Sequence, residues 1–240
     1  MRAFGATNIG RVRESNQDCF AVSTDGMMPV WAVVCDGMGG ANGGYYASST
    51  AAAVFSHSLD IGFDSLKPKQ IDNVLSEAVR EANEVVYKTS IEELELSGMG
   101  TTLVSALIMG DTAHVIHVGD SRAYHIHHSK IKRVTVDHSV VQQLIEIGQI
   151  SEEEAKSHPE KNMITRAVGV KADVEAEVSS FKIGKTSVIL LCSDGLSNLV
   201  EENEMLEIIN QNEQETAVEK LISLALERGG NDNITAVIIK

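Results

Sequence analysis

The sequence predicts an α+β protein in which two antiparallel sheets are covered by helices. Three observations carry this. Apolar runs of strand length occur in pairs joined by tight turns, which marks hairpins. Helical periodicity comes in separate blocks and does not alternate with each strand, which disfavours a parallel doubly wound sheet. About ten strands must be housed, and a twisted open sheet rarely exceeds about ten, so two sheets are expected.

The elements follow in chain order. Met27 and Met28 precede Pro29 in a loop, and Trp31 reads as a core residue. Ala32-Val33-Val34-Cys35 is an apolar run that ends at Asp36-Gly37. Ala47, Ala51, Val54, Phe55 and Leu59 then fall at helical spacing. Ile71, Val74, Leu75, Ala78, Val79, Ala82 and Val86 repeat the pattern behind Pro68. Thr101 to Met109 and Thr112 to Val118 flank Gly110-Asp111, a hairpin signal. Arg122 to His127 and Lys130 to Val136 flank a second tight turn at His128-Ser129. Ser151-Glu152-Glu153-Glu154 matches a capping box and opens a short acidic helix. Val174 to Lys182 and Ser187 to Cys192 flank Ile183-Gly184-Lys185-Thr186 and predict a third hairpin. Val218, Leu221, Ile222 and Ala225 form a last helix with Gly229 at its C-terminal cap, and Ile234 to Ile239 closes the chain as a strand. With three prolines, no Gly/Ser-rich linker and no fixed-period repeat, residues 1–240 read as a single domain.

A chain of 240 residues with 43% hydrophobic and 22% charged residues can bury a sizeable core, which excludes wholesale disorder and a disulfide-stapled miniature fold. Acids outnumber bases 34 to 20, a formal net charge of −14. Nucleic acid and anionic bilayers repel such a surface. Cys19, Cys35 and Cys192 are odd in number and lack a Cys-x-x-Cys pair, which suits buried thiols in a reducing compartment. No signal-peptide stretch follows Met1, and no window approaches the ~20 apolar residues of a membrane span, so a cytoplasmic protein is expected.

The informative feature is where the acids sit. Asp36, Asp120 and Asp194 each follow an apolar run, while Asp18 and Asp232 lie in Asn16-Gln17-Asp18 and Asn231-Asp232-Asn233. A carboxylate emerging from a core strand is costly to desolvate and stays protonated without a partner. Too few cationic side chains lie nearby in sequence to neutralise several. Bound metal ions solve that problem, and an all-oxygen set selects hard cations, Mg²⁺ or Mn²⁺ over Zn²⁺ or Cu²⁺. One Asp-Gly after a strand is more often a turn. Five such aspartates ask for a shared cause, although spacing alone does not bring them together.

Eight segments in order make the pattern recognisable: Arg13-Glu14-Ser15-Asn16-Gln17-Asp18, Cys35-Asp36-Gly37-Met38-Gly39-Gly40, Gly100-Thr101-Thr102, Val118-Gly119-Asp120-Ser121-Arg122, Asp137-His138-Ser139, Thr165-Arg166-Ala167-Val168-Gly169, Cys192-Ser193-Asp194-Gly195-Leu196 and Asp232-Asn233-Ile234-Thr235. They span nearly the whole chain. The sequence resembles the metal-dependent type 2C (PPM) serine/threonine protein phosphatases, in particular compact bacterial members. The resemblance implies a four-layer α-β-β-α sandwich, with two antiparallel sheets face to face and helices on both outer sides. It implies that Asp36 bridges two Mg or Mn ions, that Asp194 and Asp232 complete the first, and that the Gly37 carbonyl joins the second. Asp18 would hold metal-bound waters, Asp120 with Asp194 a third, weaker ion, and Arg13 the substrate phosphate. The implied reaction is hydrolysis of phosphoserine and phosphothreonine on proteins by a water bridging two ions, with no phospho-enzyme. Implied partners are phosphorylated proteins, among them a serine/threonine kinase and its targets, with a monomer as the default state.

Two departures from the family pattern stand out. The stretch Gly39-Gly40-Ala41-Asn42-Gly43-Gly44 lacks the histidine many relatives carry there, which leaves the general acid unassigned, and Val168 replaces a frequent leucine. Ile145 to Met163 resembles the flap beside the active site of bacterial members; it reads equally as substrate-selecting and as a solvated helix and loop. Gly184-Lys185-Thr186 lacks the earlier glycine of a P-loop, and Ser121 lacks a Gly-x-Ser-x-Gly elbow. His125, His127 and His128 read as a solvated hairpin tip whose side chains diverge across the strand.

Overall fold

The computed structural model describes residues 1–24, 26, 28–62 and 70–240, side chains excepted at 41, 42 and 60–62. Met27 and Pro68 lie outside the described residues. Eleven strands and seven α-helices are present among the described residues. The first sheet runs β1 (Ala3–Asn8), β11 (Ile234–Ile239), β10 (Val188–Cys192), β7 (Arg122–His127), β8 (Lys130–Arg133). The second runs β2 (Asp18–Val22), β3 (Val30–Met38), β5 (Leu103–Met109), β6 (Thr112–Val118), β9 (Glu177–Lys182), with the short β4 (Gly100–Thr101) also on β3. All of these pairings are antiparallel.

The sheets pack face to face. Strand alternation sends Ala32, Val34, Val104 and Ala106 of the second sheet toward Ala123, Ile189, Leu191 and Val237 of the first. The opposite faces are apolar too, so each needs a cover. Val33, Cys35, Leu103 and Leu107 lie under Phe55 and Leu59 of α1 (Gly40–Gly62) and Leu75 and Val79 of α2 (Ile71–Glu92). Leu190, Cys192 and Ile238 lie under Met205 and Ile209 of α6 (Glu202–Gln211) and Leu221 of α7 (Gln214–Glu227). The result is the expected α-β-β-α sandwich. It also explains why the runs at 30–35 and 188–192 are apolar without alternation: both of their faces are buried.

Several local expectations match. The Gly110-Asp111 and His128-Ser129 hairpins form, and Trp31 is buried. Ser151 and Glu154 make a complete capping box at the start of α4 (Glu152–Lys156). Gly229 ends α7 in the left-handed region with φ 120°, its N–H bonding to Leu226 O and that of Gly230 to Ala225 O, a Schellman arrangement.

Other expectations are corrected. The turn at 183–186 is not a hairpin: β9 pairs with β6, whereas β10 pairs with β7 and β11, so the chain crosses between sheets there. The two strands differ in burial. β10 is buried throughout and takes a central place, while β9 is largely exposed and takes an edge. The strand expected from Thr101 breaks at Thr102, and that expected to Val136 ends at Arg133. The glycine-rich run after Asp36 passes into α1 at Gly40, ahead of the helical spacing that begins at Ala47. β1, β2, α6 and α3 (Val140–Glu146) carry too little periodic apolar signal to be seen in advance. His125 and His127 do not diverge: two residues apart on β7, they reach one oxygen, Ser187 Oγ, at 2.9 and 3.2 Å.

Candidate metal centre

Each aspartate arrives at one edge of the sandwich on its own element. Asp36 lies near the end of β3, and Asp18, the first residue of β2, stands directly opposite it in register. Asp120 lies two residues beyond the end of β6, on the turn that leads into β7. Asp194 follows β10 and begins the short helix α5 (Asp194–Ser197), and Asp232 precedes β11. Arg13, Asp36, Gly37, Asp120, Asp194 and Asp232 line one cavity of about 300 Å³. Asp18 lies behind it, 4% exposed. All seven residues singled out in the sequence are therefore brought together. Gly37 is needed for close approach, since a Cβ there would collide with the Gly44 and Gln17 carbonyls.

The electrostatics of the cluster are unfavourable as they stand. Burial, reinforced by Asp18, Asp194, Asp120 and Asp232, pushes the Asp36 carboxyl well above its ordinary range. Burial also raises Asp194, with the Asp232 charge adding to it; Asp194 lies close enough to Asp36 to share a hydrogen bond. Asp120 is pushed up to about 7 by burial and by Asp194 and Asp137. Asp18 is pushed up to about 6, chiefly by burial, although Thr235 and Ser193 hold it down. Among the described residues that line the cavity the one cation is Arg13, whose Nη2 donates to Asp232 Oδ2 at 2.7 Å. Asp18 Oδ1 and Asp194 Oδ1 are buried without a hydrogen-bond partner. Unpartnered buried carboxylate oxygens are expensive. A hard divalent cation would supply the missing partner and the missing charge, so these residues fit Mg²⁺ or Mn²⁺.

The supporting residues were invisible as such in the sequence, although the motifs contain them. Ser193 Oγ and Thr235 Oγ1 both donate to Asp18 Oδ2 at 2.7 Å. Thr101 Oγ1 and the Thr102 N–H donate to the Asp36 carbonyl, and the Asp36 N–H donates to Thr102 Oγ1, each at 2.9 Å. Thr102 Oγ1 also meets Ser121 Oγ at 2.7 Å, which links the Asp36 strand to the Asp120 turn. Asn233 Nδ2 donates to the Ile9 and Ser15 carbonyls and its Oδ1 accepts the Gln17 N–H, so it moors the loop that carries Arg13. A short polar residue next to one of the clustered aspartates is a signal that could have found Ser121, Ser193 and Asn233, whereas Thr101, Thr102 and Thr235 lie apart from them in sequence.

Ser139 bridges Ile164, and between them lie α3 and α4. Asn162 and Ile164 reach the aspartate cavity. A second cavity of about 690 Å³ opens between α3–α4 and α5–α6, with Asp120 and Asp194 on its wall.

The sequence profile described as Protein phosphatase 2C matches residues 6–228. The chain belongs to the protein phosphatase 2C family. It is an enzyme of that family, a serine/threonine protein phosphatase. The serine/threonine phosphatase stp of Listeria monocytogenes serotype 4b (strain F2365) is 36% identical over 100% of this chain and 96% of its own length. The crystal structure of Stp1 from Staphylococcus aureus superposes on this phosphatase with a TM-score of 0.92 at 32% identity, covering 99% of this chain and 94% of that one. The catalytic domain of PstP, crystallised in complex with two manganese ions, superposes with a TM-score of 0.86 at 33% identity, covering 99% and 96%. Among the described residues no helix is long and apolar enough to cross a membrane.

Proposed function

We propose that this phosphatase removes phosphate from phosphoserine and phosphothreonine of proteins by direct attack of water, at a centre of two Mg²⁺ or Mn²⁺ ions with a third, weaker site. The observation that carries the reading is the pair of orphaned buried oxygens, Asp18 Oδ1 and Asp194 Oδ1, amid mutually repelling carboxylates. The manganese complex of PstP supports it by analogy. Asp36, Asp194, Asp232 and the Gly37 carbonyl would hold the two core ions, Asp18 would orient water from behind, and Asp120 with Asp194 would hold the third ion. When bound, the cations supply Lewis acidity and make hydroxide available near neutral pH. Arg13 sits 54% exposed at the rim, where its fork can take two phosphate oxygens of an incoming substrate.

In this reading residues 1–240 form a single catalytic domain and the protein is a cytoplasmic monomer. Its partners are a serine/threonine kinase and that kinase's targets, and the flap helps to select among them. The test is hydrolysis of a phosphothreonine peptide with Mn²⁺, with EDTA, and with Asp36→Ala. Activity confined to the Mn²⁺-loaded wild type is expected; equal rates in all three would sink the reading.

A further inference from the structure

Behind the aspartate cavity, ligand atoms of His117, His138 and Glu177 lie within 4.8 Å of one another. That spacing suggests another metal, but the hydrogen bonds argue against one. His138 Nδ1 accepts the Gly119 N–H at 3.1 Å, so the proton of the neutral ring sits on Nε2, 3.1 Å from Glu177 Oε1. Arg166 Nη1 donates to the same oxygen at 3.1 Å and stands 3.3 Å from Nε2. A cation would have to displace a guanidinium and deprotonate a ring whose other nitrogen is already engaged. The network is therefore structural, and its geometry says what it holds.

His138 grips Gly119 from both sides. Besides the bond to Nδ1, the His138 N–H donates to the Gly119 carbonyl at 2.9 Å. Gly119 has φ 102° and is pinched against Thr102, where a Cβ would meet Cγ2 at 2.6 Å. The peptide units that aim Asp120 are thus fixed by one side chain and one main-chain bond of His138. The His138 carbonyl in turn accepts the Thr165 N–H at 2.7 Å, next to Ile164 in the wall of the aspartate cavity. We propose that His138 is a positioning residue: through the Gly119 N–H it holds the Asp120 carboxylate in place for the third cation, and it ties that turn to the base of the flap. This rests on the assignment of Asp120 to a weak cation site.

Two variants separate the ring nitrogens. His138→Asn keeps an acceptor near Nδ1 and loses the contact to Glu177; His138→Gln reaches toward Glu177 and loses the acceptor for Gly119. Both are polar and smaller than or equal to histidine in reach, and thermal melting checks that each folds. Binding of Mn²⁺ alone is followed by electron paramagnetic resonance, and exchange of the Gly119 amide by NMR. His138→Gln is expected to weaken the weakest Mn²⁺ site about tenfold and to speed Gly119 exchange by a similar factor, while His138→Asn stays within about threefold of wild type, one hydrogen bond being worth about that much. Kinetics with a phosphothreonine peptide should show the His138→Gln loss mainly in kcat. The proposal is overturned if His138→Gln binds Mn²⁺ and exchanges like wild type, or if His138→Asn is as impaired as His138→Gln. Asp120→Ala keeps the two failures apart: if it leaves the weakest Mn²⁺ site intact, the assignment of Asp120 is what falls.

Discussion

Replacing Asp18 by asparagine is expected to stabilise the metal-free protein and to weaken the metal-loaded one. In the fold the Asp18 carboxyl is raised from 3.8 to about 6, first by burial and further by the charges of Asp194 and Asp232. That difference is worth roughly 3 kcal/mol. The folded carboxyl holds its proton more tightly than the unfolded one, so the stability it lends is complete below about pH 3.8 and is lost as the pH rises toward 6. Roughly half remains at about pH 5, and none at about pH 7.5. Asparagine has no such proton to lose, keeps an acceptor for Ser193 and Thr235, and turns an amide toward the neighbouring carboxylates. In EDTA the variant should therefore exceed wild type by little near pH 4 and by up to roughly 3 kcal/mol near pH 7.5. For a chain of this length that is about 6–12 °C in melting temperature. With saturating Mn²⁺ the order should invert, because the charge that destabilises the empty cluster is what the cation needs. Calorimetric or fluorescence melts of both proteins across this pH range, with EDTA and with Mn²⁺, make the comparison. A variant that melts at or below wild type in EDTA near pH 7.5 would refute the account of the cluster as electrostatically frustrated.

Three further outcomes follow from the same geometry. Ser193→Ala removes one donor to Asp18 and the acceptor for the Thr235 N–H, and should cost about 1–3 kcal/mol in urea unfolding, with weaker Mn²⁺ binding. Arg122→Ala takes from Asp137 the donors Arg122 Nε and Nη2 at 2.6–3.1 Å and leaves it Arg133 Nη1 at 3.6 Å; unfolding should become easier by up to about 3 kcal/mol, and Arg122→Lys should recover only part because it lacks the fork. Arg13→Ala should leave the melting temperature almost unchanged, since the residue is exposed, yet raise KM for a phosphopeptide by about 10- to 100-fold, the worth of a charge-assisted phosphate contact.

Much of this protein was legible before any coordinates. The apolar runs at 32–35, 103–109, 112–118 and 234–239 report strands because burial on a pleated surface demands them. The aspartates at the ends of such runs report a metal-fitted cluster because an isolated carboxylate there would be too costly. Elements whose burial is partial left no comparable trace: β2 is short and α6 fully buries only Met205 and Ile209, so neither shows a decisive period.

Sequence by itself determined the layered class and the acids that gather at one edge of the sandwich, because local periodicity and desolvation cost are properties of residues and their neighbours. Tertiary structure alone decided which strands pair across which sheet, since β9 and β10 are adjacent in the chain and yet belong to different sheets. It alone decided that Ser193 and Thr235 secure Asp18, and that His138 clasps the Asp120 turn, because those contacts join residues 19 to 217 positions apart and no local pattern encodes a hydrogen bond across such a gap.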